Sequence, residues 1–221
     1  MEILLIVLVA YLIGSIPSAV IISKLFYGFD IREKGSGNMG STNTFRVLGW
    51  KAGLVVQILD VMKGVAAVIV AVKIFDGVLP FPNATGFEDI TIVKTIAGIA
   101  AVLGHIFTAF AGFRGGKGIN TALGMLIGIA PVELAVAVGV FLLVVVASGY
   151  VSLGSIIAAV TLPTTMVVRY NIFHVQIEGY NTLILFCAGL AALIIYTHRS
   201  NIRRLFEGRE NRFNKLRIFH R

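Results

Sequence analysis

Long apolar runs, each close to the thickness of a lipid bilayer, dominate the chain and leave few folds open to it. The first reads MEILLIVLVAYLIGSIPSAVIISKLF, and others cover Ala52 to Phe75, Ile90 to Phe113, Ile119 to Ala147, Val151 to Val168 and Asn181 to Thr197. About 20 apolar residues in a helix cross a hydrocarbon core. A soluble domain needs a polar shell, yet only 14% of the 221 residues are charged, against about 25% in ordinary soluble domains. The expected fold is therefore an all-α integral membrane protein, with no internal repeat or linker dividing residues 1–221 into separate domains. Glu2 stands where a signal peptide carries basic residues, so the first run is expected to be retained as a span. The single cysteine, Cys187, lies in an apolar run, which excludes an internal disulfide and a cysteine metal cluster.

The number of spans turns on Ile119 to Ala147, which suits one over-long helix or two short ones. Proline and a carboxylate occur together in Ala130 to Glu133, and both are costly in a lipid-facing helix. A turn there removes the cost. Charge supplies an independent constraint, since Lys and Arg collect in cytoplasmic loops. Lys24, Arg32, Lys34, Arg46 and Lys51 follow the first run, Arg114 and Lys117 precede Ile119, and the tail from His198 holds eight more bases. The connections DGVLPFPNATGFED and YNIFHVQIEGY are acidic and nearly free of bases. Seven transmembrane helices put every basic segment on one side; six would turn the tail outward. The expectation is seven spans, the N-terminus outside, and the C-terminus with its basic tail (198–221) cytoplasmic.

On that cytoplasmic face lies EKGSGNMGSTNTFR, a literal match to the G-x-G-x-x-G dinucleotide fingerprint. The fingerprint requires a strand before it and a helix of a βαβ unit after it. Here a membrane span and the charged turn YGFDIREK precede it, and a second span follows, so that reading fails. Glycines lacking Cβ still let backbone N–H groups converge on an anion. Gly35, Gly37, Ser36, Asn38, Thr42 and Asn43, with Arg46 as a fork for phosphate oxygens, form a candidate anion loop. A polar loop capped by Ser41 or Thr42 is the plainer alternative.

The second glycine segment, FRGGKG, is not a Walker loop, because Ala111 and Gly118 fill its diagnostic positions. Gly115, Gly116 and Gly118 around Lys117 nevertheless make a candidate anion turn, with Arg114 an ordinary interfacial anchor. His105 is placed in the same expected helix, two to three turns earlier, where a hydrogen-bonded structural histidine is the plain reading. Ser152 and Ser155 begin a span, where capping is the default. His198, Arg199, Asn201, Arg203 and Arg204 leave the last span within two turns, some of them as lipid-headgroup anchors. Asp60 and Lys63 share a helix face at i, i+3, and mutual neutralisation in the bundle interior explains them. Glu207 and Glu210 lie in a basic tail, so no carboxylate or thiol cluster suggests a metal. Two glycine loops, Arg, Lys, His and several hydroxyls on one membrane face suit phosphate.

The segments GSGNMGSTNTFRVLG, GHIFTAFAGFRGGKGINTALG, YVSLGSI and HRSNIRRLFEGRE, in this order, resemble the bacterial acyl-phosphate-dependent glycerol-3-phosphate acyltransferases, the PlsY family. LGSIPSA and LDVMKG extend the likeness over nearly the whole chain. Ser41 stands where the family usually has Ala, Thr108 where Pro is common, Arg114 where Lys is usual, and Asn120 replaces a small residue. The resemblance implies a seven-helix enzyme of the bacterial inner membrane, its site cytoplasmic. It would acylate glycerol 3-phosphate from acyl phosphate, giving lysophosphatidate and inorganic phosphate in phospholipid synthesis, without cofactor, metal, nucleic acid or obligate protein partner. None of His105, His174, His198 and His220 has Asp five positions later, which excludes the H-x-x-x-x-D mechanism of other glycerol-phosphate acyltransferases.

For such a reaction Ser36, Asn38, Arg46 and Lys117 are assigned to the acyl-phosphate phosphoryl group. Thr42, Asn43, Ser152, His198 and Asn201 are assigned to glycerol 3-phosphate. His105, His198 or a substrate phosphate takes the hydroxyl proton, with substrate assistance favoured. The rival readings are a transporter or channel for organic phosphates and a lipid-headgroup binding protein. Crowding of polar residues at one interface, away from the bilayer midplane, disfavours transport.

Overall fold

The computed structural model describes residues 2–212. Of the basic interfacial segment expected over the end of the tail, NRFNKLRIFHR (211–221), residues 213–221 lie outside the described residues. Every regular element among them is helical: ten α-helices and two short 3-10 turns. The chain divides into two compact units, Met1–Pro82 with Glu88–Ile129, and Asn83–Phe87 with Ala130–Arg221.

The first unit contains α1 (Glu2–Gly14), α2 (Ser18–Tyr27), α3 (Ser41–Leu48), α4 (Trp50–Ile74), α5 (Asp89–Ile106) and α6 (Ile119–Leu126). The first expected span is broken at Ser15–Pro17, where proline lacks the N–H that would continue the helix. Backbone carbonyls freed at membrane depth must find donors inside the protein. Thr108 donates its hydroxyl hydrogen to the Ser15 carbonyl, and Lys63 Nζ donates to the Ile16 carbonyl at 3.1 Å. Small residues let the helices approach closely, as is usual where lipid supplies no hydrophobic drive for association. A Cβ built on Gly104 would lie 2.2 Å from the Tyr11 carbonyl oxygen, and one on Gly64 2.3 Å from that of Thr121.

The second unit contains α7 (Pro131–Ser148), α8 (Val151–Asn171), α9 (Tyr180–Thr197) and α10 (Arg199–Phe206). Pro131 opens α7 and Gly149, at φ 76°, closes it in the left-handed conformation that glycine tolerates. Buried Glu133 at the start of α7 pairs with Arg169 at the end of α8, so neither charge is left alone. Tyr170 and Tyr180 stack with ring centroids 3.7 Å apart at the α8–α9 connection.

Among the described residues, six segments are long and apolar enough to cross a membrane: Glu2–Tyr27, Trp50–Ile74, Asp89–Ala111, Pro131–Ser148, Val151–Asn171 and Tyr180–Thr197. Large apolar side chains such as Leu4, Leu143 and Leu185 remain exposed along them, as a lipid-facing surface requires. The run Ile119 to Ala147 is divided before Pro131, as the proline and carboxylate suggested. Its first piece, α6, has only 8 residues. At 1.5 Å per residue it extends roughly 12 Å, well short of a hydrocarbon core of about 30 Å.

Candidate active site

The loop from Phe29 to Gly40 is held from below by apolar anchors. Ile31 and Met39 are fully buried and pack with Ala19, Val20 and Val56. Asp30 caps the 3-10 turn Ile31–Glu33 and binds Arg32 at 2.7 Å, which holds its carboxyl well below the usual carboxylate range despite burial. Asn43, 1% exposed, clamps the loop from inside. Its Oδ1 accepts from the Ser36 backbone N–H at 2.9 Å, and its Nδ2 donates to the carbonyls of Ile31 and Lys34. Gly35 has φ 61°, and a Cβ there would sit 2.3 Å from that same Oδ1. The Gly37 N–H donates to Lys34 O and the Gly40 N–H to Asn38 Oδ1. The Gly37 and Gly40 amides are thus engaged within the loop and the Ser36 amide by Asn43 of α3. The glycines shape the turn; Ser36 is exposed, while Asn38, Thr42 and Arg46 are half-buried.

Ser41 and Thr42 are not caps. Gly40 occupies the N-cap of α3 without a side-chain bond, and the two residues form the first helical turn. Ser41 instead accepts from Asn120 Nδ2 at 2.9 Å. Arg32 Nη1 donates to the Ala111 carbonyl at 2.8 Å. These two bonds fasten the first glycine loop to the segment carrying the second.

That second loop differs from its sequence expectation. The helix stops at Ile106 rather than running to Phe113, so His105 lies directly beneath the glycines instead of turns away. The N–H groups of Gly115 and Gly116 donate to the carbonyls of Ile106 and His105, both at 3.0 Å. A Cβ on Gly115 would lie 1.9 Å from His105 O, and one on Gly116 2.0 Å from His105 Nε2. Only glycine admits this seat. Lys117 follows, half-buried, just before Gly118 caps α6 at φ 83°. Below the seat, His105 is 3% exposed and its Nδ1 stands 3.8 Å from Asp60 Oδ1. Asp60 and Lys63 pair at 3.0 Å, as their spacing suggested.

In the second unit Ser152, His198 and Asn201 are all buried. Neither serine caps α8: Tyr150 holds the N-cap position, and Ser155 donates to the Val151 carbonyl. Ser152 Oγ and Asn201 Nδ2 both donate to Glu210 Oε1, at 2.9 and 2.6 Å, and Arg204 Nε donates to Glu210 Oε2 at 2.7 Å. Burial opposes the charge on Glu210, but the bonds from Asn201, Arg204 and Ser152 outweigh it and hold the carboxyl below its ordinary pKa. His198 sits at the corner between α9 and α10, its Nδ1 2.8 Å from the Ile194 carbonyl. In the sequence Glu210 is one of two carboxylates in a basic tail, with Glu207, and nothing local marks it as the point where Ser152, Asn201 and Arg204 meet.

Comparison with known proteins places the chain firmly. The family model described as glycerol-3-phosphate acyltransferase matches residues 4–208. The glycerol-3-phosphate acyltransferase of Chlorobaculum tepidum is 49% identical, over 96% of each chain, and that of Chlorobium phaeobacteroides (strain BS1) is 48% identical, over 95% of each. Among solved structures, that of PlsY, an integral membrane glycerol 3-phosphate acyltransferase, in its glycerol 3-phosphate form superposes with a TM-score of 0.79 at 38% identity. It covers 98% of both chains. The lysophosphatidic acid form of PlsY gives 0.77, covering 96% of both.

Proposed function

Since this chain belongs to the glycerol-3-phosphate acyltransferase family, we propose how its residues divide the work of the acyl transfer it catalyses. The protein is a multi-pass membrane enzyme that acylates glycerol 3-phosphate in phospholipid synthesis, and the likeness favours that reaction over phosphate transport.

In the proposed reaction the acyl donor is acyl phosphate. Ser36, Asn38, Arg46 and Lys117 hold its phosphoryl group and stabilise charge on the departing phosphate. Gly35, Gly37, Gly115, Gly116 and Gly118 give the close turns that present these side chains. Thr42, Ser152, His198 and Asn201 position glycerol 3-phosphate, which makes the attack effectively unimolecular. Asn43 contributes through the loop it clamps. The glycerol hydroxyl oxygen bonds to the acyl carbon, and the mixed-anhydride bond between that carbon and the phosphate oxygen breaks. Phosphate leaves and carries away the hydroxyl proton. His105, seated under the glycine loop, serves position rather than proton transfer.

The observation that carries this reading is the fastening of two glycine loops, one bearing Ser36 and Arg46 and the other Lys117, through Arg32–Ala111 and Asn120–Ser41. Purified protein given glycerol 3-phosphate and palmitoyl phosphate should form lysophosphatidate without added nucleotide, metal or thioester carrier. Product from palmitoyl-CoA alone would overturn the donor assignment. A His105→Ala variant whose residual kcat keeps the wild-type pH dependence fits substrate-assisted proton transfer; disappearance of the acid limb of the pH–kcat profile contradicts it.

The proposed topology has α6 as a short seventh crossing, the N-terminus outside and the C-terminus cytoplasmic in the bacterial inner membrane, with 1–221 acting as one acyltransferase domain. The one-sided distribution of Lys and Arg supports it. Thiol labelling of single cysteines introduced at Asn83 and Arg209 of a Cys187→Ala protein, in oriented vesicles, tests it. The two sites should label from opposite sides.

A further inference from the structure

The buried charge pair in α4 has no part in the chemistry above, yet it stands directly under the loop that carries Lys117. We propose that Asp60 is a positioning residue for acyl transfer: paired with Lys63, its carboxylate orients His105, which seats the Gly115–Gly116 turn and so sets the pose of Lys117. This rests on the proposed role of Lys117.

Asp60 and Lys63 are 1% and 5% exposed, deep in a helix that crosses the membrane. Lys63 Nζ reaches Asp60 Oδ1 at 3.0 Å and the Ile16 carbonyl at 3.1 Å, so the pair is pinned to the broken first span. A purely structural ion pair would need nothing more. Asp60 goes further, since His105 Nδ1 faces its Oδ1 at 3.8 Å. Neither Asp60 Oδ2 nor His105 Nδ1 has a hydrogen-bond partner among the described residues, although both are buried. The separation is too long for a hydrogen bond. In a low-dielectric interior the carboxylate still favours the tautomer with its proton on Nδ1, directed at the negative charge. That choice leaves the lone pair on Nε2, the ring edge lying against Gly116.

The remaining link is steric. The turn has no slack against the histidine, since a single added carbon at Gly116 would meet Nε2 at 2.0 Å. The amides of Gly115 and Gly116 are tied to the last carbonyls of α5. A tilt of the ring therefore moves the turn, and Lys117 is its next residue. A displacement of about 1 Å at a charge-stabilising group can cost roughly 10²-fold in rate.

The test is Asp60→Asn in purified, detergent-solubilised enzyme, with kinetics expressed per folded molecule. The variant should lose roughly 10²-fold in kcat/KM for palmitoyl phosphate while KM for glycerol 3-phosphate stays within about twofold. Combined with Lys117→Ala, it should add little to the loss from Lys117→Ala alone, because residues acting through one another are not additive. Should Asp60→Asn fail to fold with Lys63 unpaired, the neutral pair Asp60→Asn/Lys63→Met takes its place with the same expected kinetics. Wild-type kinetics per folded molecule in whichever variant folds would overturn the proposal. So would additive losses with Lys117→Ala. A fully active Lys117→Ala enzyme would instead sink the assignment of Lys117, leaving the two failures distinguishable.

Discussion

The two clusters of polar side chains are built on opposite electrical principles. In the first unit, the loop bearing Ser36 is organised by a neutral amide: Asn43 spends both ends of its side chain on backbone groups of Ile31, Lys34 and Ser36. In the second unit, Ser152, Asn201 and Arg204 converge on a carboxylate, Glu210. A neutral clamp keeps its geometry at any ordinary pH and leaves the cationic Arg46 and Lys117 to set the local charge. A carboxylate hub holds donors equally well but ties their placement to one ionisation. The first cluster should therefore respond to loss of shape, the second to loss of charge.

Lys117→Ala should have the largest effect, because it removes a cation from a loop whose shape is set independently. Loss of roughly 10² to 10³ in kcat for palmitoyl phosphate is the expected result. Retained activity would dissolve the contrast between the two clusters. Asn43→Ala comes next, since it takes the acceptor from the Ser36 N–H and one of two donors from each of the Ile31 and Lys34 carbonyls. Each hydrogen bond lost costs about 0.5–1.5 kcal/mol. Both Tm and activity should fall, and Asn43→Asp should recover only a fraction, because Asp can accept from Ser36 but cannot donate to Ile31 or Lys34.

Glu210→Gln sharpens the other side. The Glu210 carboxyl is held below its ordinary pKa in the folded protein, so its stabilisation is fully present above the unfolded value, about 4.3. It is lost as pH falls through the lower folded value. At pH 7 the variant should melt below the wild type, and the gap should close as pH drops below about 4. The same scan on Asn43→Ala should show a gap that does not move with pH. The smallest effect belongs to Glu207→Gln. Glu207 pairs with Arg203 at 3.0 Å and Arg209 at 2.5 Å on the exposed side of the same segment. Solvent screens such pairs, so neither Tm nor kcat should change measurably.

Much of this was legible in the linear chain, and particular residues show why. The division before Pro131 could be read because proline and Glu133 are local signals whose cost in a lipid-facing helix does not depend on partners. The Asp60–Lys63 pair was legible for the same reason: helical spacing alone brings positions i and i+3 together. The end of α5 at Ile106 was not. Phe107 to Phe113 carries no proline or charge, and what stops the helix is Gly115 and Gly116 folding back onto its last carbonyls. Nor was Glu210 legible, because its partner Ser152 lies 58 residues away and pairing at that range leaves no periodic trace.

Composition, periodicity and motif spacing by themselves determined that this chain is a helical membrane protein, and that its glycine-rich and basic segments suit phosphate. These properties follow from solvent and from neighbours within a few residues, both written into any stretch of sequence. Only the tertiary structure decided which glycines are turns and which side chains they present. It alone put His105 under Lys117 and turned Glu210 from a tail residue into a hub. Those outcomes depend on clearances of two or three ångströms between segments far apart in the chain, and such clearances exist only once the helices have packed.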